Sequence, residues 1–277
     1  DNTEGPFQML FDFHFYWYDV NQFWIGSNGY IIFQNGQMSA PFPYIPSASQ
    51  PQNFLAAMAS DLNFDGPGNP AQCFYWRSPA QDTVVVSWLN VPFWDPTPPN
   101  YYQGTNSFQI ILSTIDSSIT YQYQSQSGVY AGGAAVYISA GIENNSGAIG
   151  LQSMVNPPSM GTYYFTTPYA VKFYFPSNST YQVDDASTVF NNNPTNGGRF
   201  LSNSSPAAFP MSASVRNTGN TSLASFNVTS RIVNNLNQTL VFDNAQSGAL
   251  AAGATSNITF TNTFSPTLTG TYIQRTR

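Results

Sequence analysis

Charge is what this 277-residue sequence has least of. Only 7% of its residues are Asp, Glu, Lys or Arg, against roughly 25% in an ordinary soluble domain. Seven are basic, Lys172 being the single lysine, and the formal net charge is -6. A nucleic-acid binder needs a basic face to displace counterions, so that class is excluded. Long surface helices, usually held by Glu–Lys and Glu–Arg pairs one turn apart, are not expected. Histidine and cysteine occur once each, as His14 and Cys73. No disulfide can close within the chain, and His or Cys clusters for metal or nucleophilic chemistry lack members. A run of about 18 apolar residues is also missing, so no helical membrane span is expected.

Apolar and aromatic residues are abundant: 42% and 16%, with 22 Phe and 17 Tyr. That is ample for a core. Most polar positions are Asn, Gln, Ser or Thr. Uncharged polar side chains interleaved with aromatics suit a β-protein exposed to an extracellular medium. The lone cysteine argues against a disulfide-stapled secreted domain. Cys73, between Gln72 and Phe74, reads as a buried small hydrophobe. N-glycosylation triplets begin at Asn144, Asn178, Asn203, Asn220, Asn227, Asn237 and Asn257. Asp82-Thr83-Val84 resembles a bacterial O-glycosylation triplet at Thr83. Use of any of them depends on the host.

Strand signals dominate the chain. Phe7 to Tyr18 is packed with aromatics and reads as one strand. Phe23 to Gln34 reads as a hairpin turning at Ser27-Asn28-Gly29. Ala40 to Gln52 is a proline-punctuated loop, and Phe54 to Asp61 alone has mild helical character. Gln72 to Arg77 and Thr83 to Asn90 follow as strands, with an aromatic, proline-framed loop from Pro92 to Gly104. Asn106 to Thr114, Ile119 to Gln124, Ala134 to Glu143 and Tyr169 to Phe175 complete the region. Composition shifts at Pro176: Asn, Ser, Thr and Pro crowd the segment to Ser205, which reads as a linker or excursion. Short strands at about 10-residue spacing then suggest a small β-sandwich. They are Met211 to Val215, Ser225 to Ile232, Thr239 to Phe242, Ser256 to Thr263 and Thr271 to Gln274.

Several segments carry a family resemblance when taken in order. They are FDFHFYWYD, SNGYIIF (Ser27 to Phe33), APFP with a following segment ending at Asp61, CFYWR (Cys73 to Arg77), VVVSWLNVP (Val84 to Pro92), TNSFQIIL (Thr105 to Leu112) and the glycine-containing stretch from Ile138 to Gly150. Leu10 to Leu151 thus resembles the nidogen-like extracellular domain. The wording of FWIGSNGYIIF, AAMASDLNF, GNPAQCFYW and SAGIENNSGAIGLQ is most similar to copies in large secreted Bacteroidetes proteins, many of which use type IX secretion. Ala207 to Thr276 resembles a CARDB-type adhesion module, an immunoglobulin-like sandwich, through VRNTGNTS, FNVTSRI, LAAGATSNITF and GTY. The expected fold is therefore all-β: a nidogen-like domain over 1–176, a linker over 177–205 and an Ig-like sandwich over 206–277. The resemblance implies a modular extracellular or cell-surface protein of which this chain is a piece, and no catalytic residues.

Three constellations could carry chemistry. Asp61-Leu62-Asn63-Phe64-Asp65-Gly66 has the spacing of the first half of an EF-hand calcium loop, with Asp61, Asn63 and Asp65 as ligands. The twelfth position is Gln72 rather than Glu, so a further ligand would come from Asp95 or a carbonyl; the alternative is an Asx-rich turn. Trp94, Tyr101 and Tyr102 on the Pro-framed loop could stack on sugars or anchor a protein, or could cap the core. The acids Asp12, Asp19, Asp61, Asp65, Asp95 and Glu143 form no recognisable glycosidase pair. His14, between two phenylalanines, reads as a structural residue.

Three functions fit. The first is a non-catalytic adhesion or surface-structure module binding a glycan or protein. The second is a subunit that self-associates into an extracellular filament or layer, since few charges oppose packing of chain on chain. The third is an accessory region of a larger secreted hydrolase.

Overall fold

The computed structural model describes residues 1–39, 42, 44–47, 51–128, 138–156, 167–175, 182–191 and 208–277. Among these residues every regular element is a β-strand. The chain divides into two units, Asp1–Ser179 and Thr180–Arg277.

In the first unit the strands alternate between two sheets. β1 (Thr3–Phe15), β2 (Tyr18–Gly26), β3 (Tyr30–Ile32) and β4 (Phe54–Ala59) begin the first. β5 (Gln72–Arg77), β6 (Thr83–Trp94), β7 (Tyr102–Ser113) and β8 (Ser118–Ser127) form most of the second. β9 (Ile138–Glu143) and β10 (Gly150–Asn156) return to the first, and β11 (Tyr169–Phe173) closes the second. The sheet orders are β1-β2-β3-β4-β9-β10 and β11-β8-β7-β6-β5, antiparallel throughout.

Period-two patterning sets the core face. In β6, Val84, Val86 and Trp88 are buried and alternate with half-buried Val85, Ser87 and Leu89. Phe108, Ile110 and Leu112 of β7 and Ile119, Tyr121 and Tyr123 of β8 continue that face. Opposite them lie Phe13, Phe23, Ile31, Leu55 and Ala57 of the first sheet. Polar tips bridge the two layers. Tyr121 Oη donates to Gly141 O at 2.7 Å, Tyr123 Oη to Ala57 O at 2.6 Å and Trp88 Nε1 to Gly26 O at 3.2 Å. Burial, the largest cause in each case, raises both phenol pKa values well above normal, so the hydroxyls stay protonated donors.

Three local expectations are corrected. Phe54 to Asp61 is not helical: β4 is a strand with all six residues buried. One side of it meets the core between the sheets; Phe54, Ala56 and Ala59 meet a second cluster with Met38, Phe42 and Ile45. A strand covered on both faces loses apolar–polar alternation and so resembles a buried helix. The aromatic run from Phe7 to Tyr18 is not one strand. It turns at Tyr16-Trp17, with Tyr16 at φ 56°, so that Phe15 pairs with Tyr18. Edge-on ring contacts of Phe15 with Tyr16 and Tyr18 hold a turn that no Gly or Asn announces. The loop read from Pro92 to Gly104 is shorter, because β6 runs to Trp94 and β7 starts at Tyr102.

The second unit contains two three-stranded antiparallel sheets. One is β12 (Ala186–Phe190), β13 (Phe209–Asn217) and β16 (Thr255–Phe264); the other is β15 (Thr239–Gln246), β14 (Asn227–Val233) and β17 (Ile273–Thr276). Met211, Ala213, Val215, Val228, Ile232, Ile258 and Phe260 share their core. β12 falls in the stretch read as linker or excursion; Ala186 pairs with Asn217 and Thr188 with Val215.

The hydroxyl bridges can be weighed by removing them singly. Tyr121→Phe or Tyr123→Phe keeps the ring and strands a buried carbonyl, which is expected to cost about 1–2 kcal/mol in a denaturant melt. An unchanged midpoint would mean that the bridge contributes nothing.

Candidate functional site

The structure brings two of the sequence constellations together at one end of the first unit. The segment from Asp61 to Ala71 lies against the β6–β7 hairpin. Trp94 N donates to Asp61 O and Asn63 N to Pro92 O, both at 2.9 Å, and Leu62 bridges Phe93. Asn63 Nδ2 donates to Tyr101 O at 2.8 Å and Tyr102 Oη to Pro67 O at 3.0 Å. Gly66 is the hinge of this approach. Its φ is +107°, and a Cβ there would lie 2.6 Å from Asn100 O.

Amide side chains organise the loop. Asn63 Oδ1 accepts from Asp65 N at 2.7 Å, an Asx turn. Asn69 Nδ2 donates to the carbonyls of Asn63 and Asp65, and its Oδ1 accepts from Ala71 N. Of the residues read as calcium ligands, Asp61 is half-buried beside Trp94, Asn63 already accepts a backbone N–H, and Asp65 is exposed. Asp95, the suggested extra ligand, caps the hairpin tip. Its Oδ1 accepts from Thr97 N at 2.7 Å and its Oδ2 from Gln103 Nε2 at 2.6 Å. Hydrogen bonds from Thr97, side chain first and then backbone, lower its pKa and keep it ionised. Among the described residues no three His, Cys, Asp or Glu side chains converge as a metal-binding group.

The three aromatics have different surroundings. Trp94 is half-buried and pairs with Tyr102 across the hairpin. Tyr102 ties its hydroxyl to the loop, and its ring packs beside Gly66. Tyr101, at φ 59°, leaves 49% of its surface exposed. A separate recess of about 560 Å³ sits on the second sheet, lined by Leu89, Gln109, Gln122, Gln124, Pro168 and Tyr169 among others. None of Trp94, Tyr101 and Tyr102 lines it. Gln109 and Gln122 of its lining are joined at 2.7 Å, and Ser87 beside them extends this ladder by a 3.1 Å bond to Gln109. The sequence reading missed both Asn69 and this ladder. The recurring outward Gln was the available signal.

Other singled-out residues find mostly structural partners. His14 Nδ1 lies 2.7 Å from Asp19 Oδ1, with the ring edge-on to Phe175. Asp12 accepts from Asn21 at 3.3 Å. Cys73 is not buried: it is exposed on edge strand β5, because nothing described lies beyond that strand in the sheet. Desolvation by its neighbours pushes the thiol up to about 12, leaving little thiolate. Glu143 is buried at the end of β9; its Oε2 accepts from Ser47 N at 2.5 Å, while Oε1 has no partner among the described residues. Desolvation raises its pKa to about 7.

The glycosylation triplets are unequally placed. Asn144 is buried, with its amide engaged by Ser146 and Ile149 N, which closes that site in the folded chain. Asn220 is half-buried and accepts from Val183 N. Asn227, Asn237 and Asn257 are exposed. Thr83 is half-buried and donates to Asp82 Oδ1 at 2.9 Å. Asn178 and Asn203 lie outside the described residues.

Comparison with known proteins gives one family. The family described as NIDO related (nidogen-related) matches residues 1–183 of the 277. No curated protein and no solved structure matches the chain.

Two outcomes are expected here. Asn63→Ala removes the bonds to Asp65 N and Tyr101 O and should lower stability by about 1–2 kcal/mol in a thermal or urea melt. Glu143 is protonated more readily when folded, so its contribution is full below pH 4.5, its unfolded value, and is lost as pH rises through about 7. Glu143→Gln should flatten that part of the stability–pH curve and make the protein more stable than wild type above pH 7. Parallel curves for the two proteins would refute this.

Proposed function

We propose a function from one premise: the chain belongs to the nidogen-related family. It is an extracellular, non-catalytic module that binds a glycan or a protein. The observation that carries the reading is Tyr101. Its half-exposed ring stands at a hairpin tip whose backbone is pinned by Asn63, Asp95 and the loop up to Ala71. A rigid aromatic with few rotamers is a low-entropy anchor for a sugar face or a protein surface. The amides and hydroxyls around it can serve a ligand's hydroxyls. Absence of turnover is supported by how the acids are engaged: Asp12 with Asn21, Asp19 with His14, Asp95 with Thr97 and Gln103, Glu143 with Ser47. The second unit is read as the CARDB-type, immunoglobulin-like adhesion module, supported by its two three-stranded antiparallel sheets around one core.

The test is a glycan array together with a cell-surface protein pull-down, using wild type, Tyr101→Ala and Tyr169→Ala. Binding that falls at least tenfold in Tyr101→Ala and persists in Tyr169→Ala is the expected result. Loss only in Tyr169→Ala would move the site to the glutamine-lined recess and overturn the tip assignment. Polymer turnover by the chain alone would overturn the non-catalytic reading.

A further inference from the structure

β5 ends the second sheet, and among the described residues no strand pairs with its outer side. Ser78 N donates to Thr83 O at 2.9 Å, which fixes the phase of the β5–β6 ladder. Gln72, Phe74 and Trp76 therefore exchange hydrogen bonds with β6. The N–H and C=O groups of Cys73, Tyr75 and Arg77 point out of the sheet. Side chains alternate in the same phase. Tyr75 pairs with core residue Val86 and packs on Phe7 and Phe23. Phe74 and Trp76 pair with Ser87 and Val85 on the opposite face and remain 53% and 54% exposed.

The other edges of the unit are blunted, and β5 is not. β1 contains Pro6 and two register shifts; β10 has a register shift; β11 carries Lys172 and begins just after Pro168. Proline, lysine and bulges are the devices that stop strand addition. β5 pairs with β6 without a register shift over all six residues and has no proline or lysine within it.

The geometry points to β5 as a self-pairing edge, through which two copies of this chain join antiparallel with Tyr75 opposite Tyr75 of the second copy. In that register Cys73 meets Arg77 of the second copy and the reverse, so every outward N–H and C=O of the three residues finds a partner. Phe74 then stands opposite Trp76 of the second copy at both non-hydrogen-bonded positions, where side chains approach most closely. A slip by two residues either way sets Phe74 against Ser78 or Trp76 against Gln72 and breaks the double aromatic match. The one charge on the strand, Arg77, meets a neutral Cys73. This self-complementarity in hydrogen bonding, aromatic pairing and charge selects a second copy over a foreign strand. Standard interfaces of about 1,600 Å² range from micromolar to picomolar, so this smaller one should form at micromolar concentration or above. The surface is distinct from the Tyr101 tip, and either assignment can fail without the other.

Sedimentation of the full chain over a concentration series tests it. The weight-average mass should rise from one chain to two, and hydrogen exchange at the outward amides of Cys73, Tyr75 and Arg77 should slow at least fivefold as the dimer forms. Phe74→Lys combined with Trp76→Lys sets like charges opposite each other and should give a monomer at every concentration. Phe74→Lys combined with Trp76→Glu sets opposite charges across both pairs and should restore the dimer. A wild type that stays monomeric would overturn the proposal, as would two double variants that associate equally. Should a variant not fold, the wild-type amides decide alone: dimerisation with unchanged exchange at Cys73, Tyr75 and Arg77 places the contact elsewhere.

Discussion

Apolar burial holds two sheets together but does not say where one sits on the other, because it has no direction. Direction in the first unit comes from Trp88, Tyr121 and Tyr123, whose polar tips reach across the core to the carbonyls of Gly26, Ala57 and Gly141. Each bond joins one particular residue of the second sheet to one of the first. A shift between the sheets would leave those groups dry and unpaired. The placement of β6 follows from this, and with it the hairpin whose tip carries Tyr101 and the edge strand that presents Phe74 and Trp76.

Much of this was legible in residue order. Alternation from Val84 to Trp88 shows a strand with one buried face, and the run of segments from FDFHFYWYD onward supports the family that the chain belongs to. What was not legible depends on neighbours distant in sequence. β4 lost its alternation because the stretch containing Met38 and Phe42 covers its second face. Cys73 looked like core because a free cysteine behaves as a small hydrophobe, yet the sheet ends at its strand. Asn144 satisfies a three-residue triplet, a local property, while its burial is a tertiary one. The meeting of the Asp61 loop with Tyr101 is likewise set by a β-bridge, Leu62 to Phe93, that no local pattern announces.

With so few charges, amides take over the tasks that carboxylates and lysines perform elsewhere. Buried Asn28 accepts from Leu62 N and donates to Met38 O; buried Asn106 donates to Val91 O; buried Asn217 donates to the carbonyls of Thr221 and Leu250. An amide both donates and accepts, so one side chain can close a turn and tie it to a neighbour. It also needs no counter-ion when buried, which a carboxylate does. Glu143, half-partnered in the core, shows the alternative, and its raised pKa expresses what burying a charge costs.

That choice of adhesive has a consequence for the medium in which the protein works. Dissolved salt weakens attraction between exposed charges by screening it, over a distance of about 8 Å at physiological ionic strength. Among the described residues Lys172 pairs with Asp116 and His14 hydrogen-bonds Asp19, both on the surface. The bonds from Trp88, Tyr121 and Tyr123 that align the two sheets of the first unit are neutral. Screening therefore has little hold on that alignment: brine takes away almost nothing of what sets one sheet on the other.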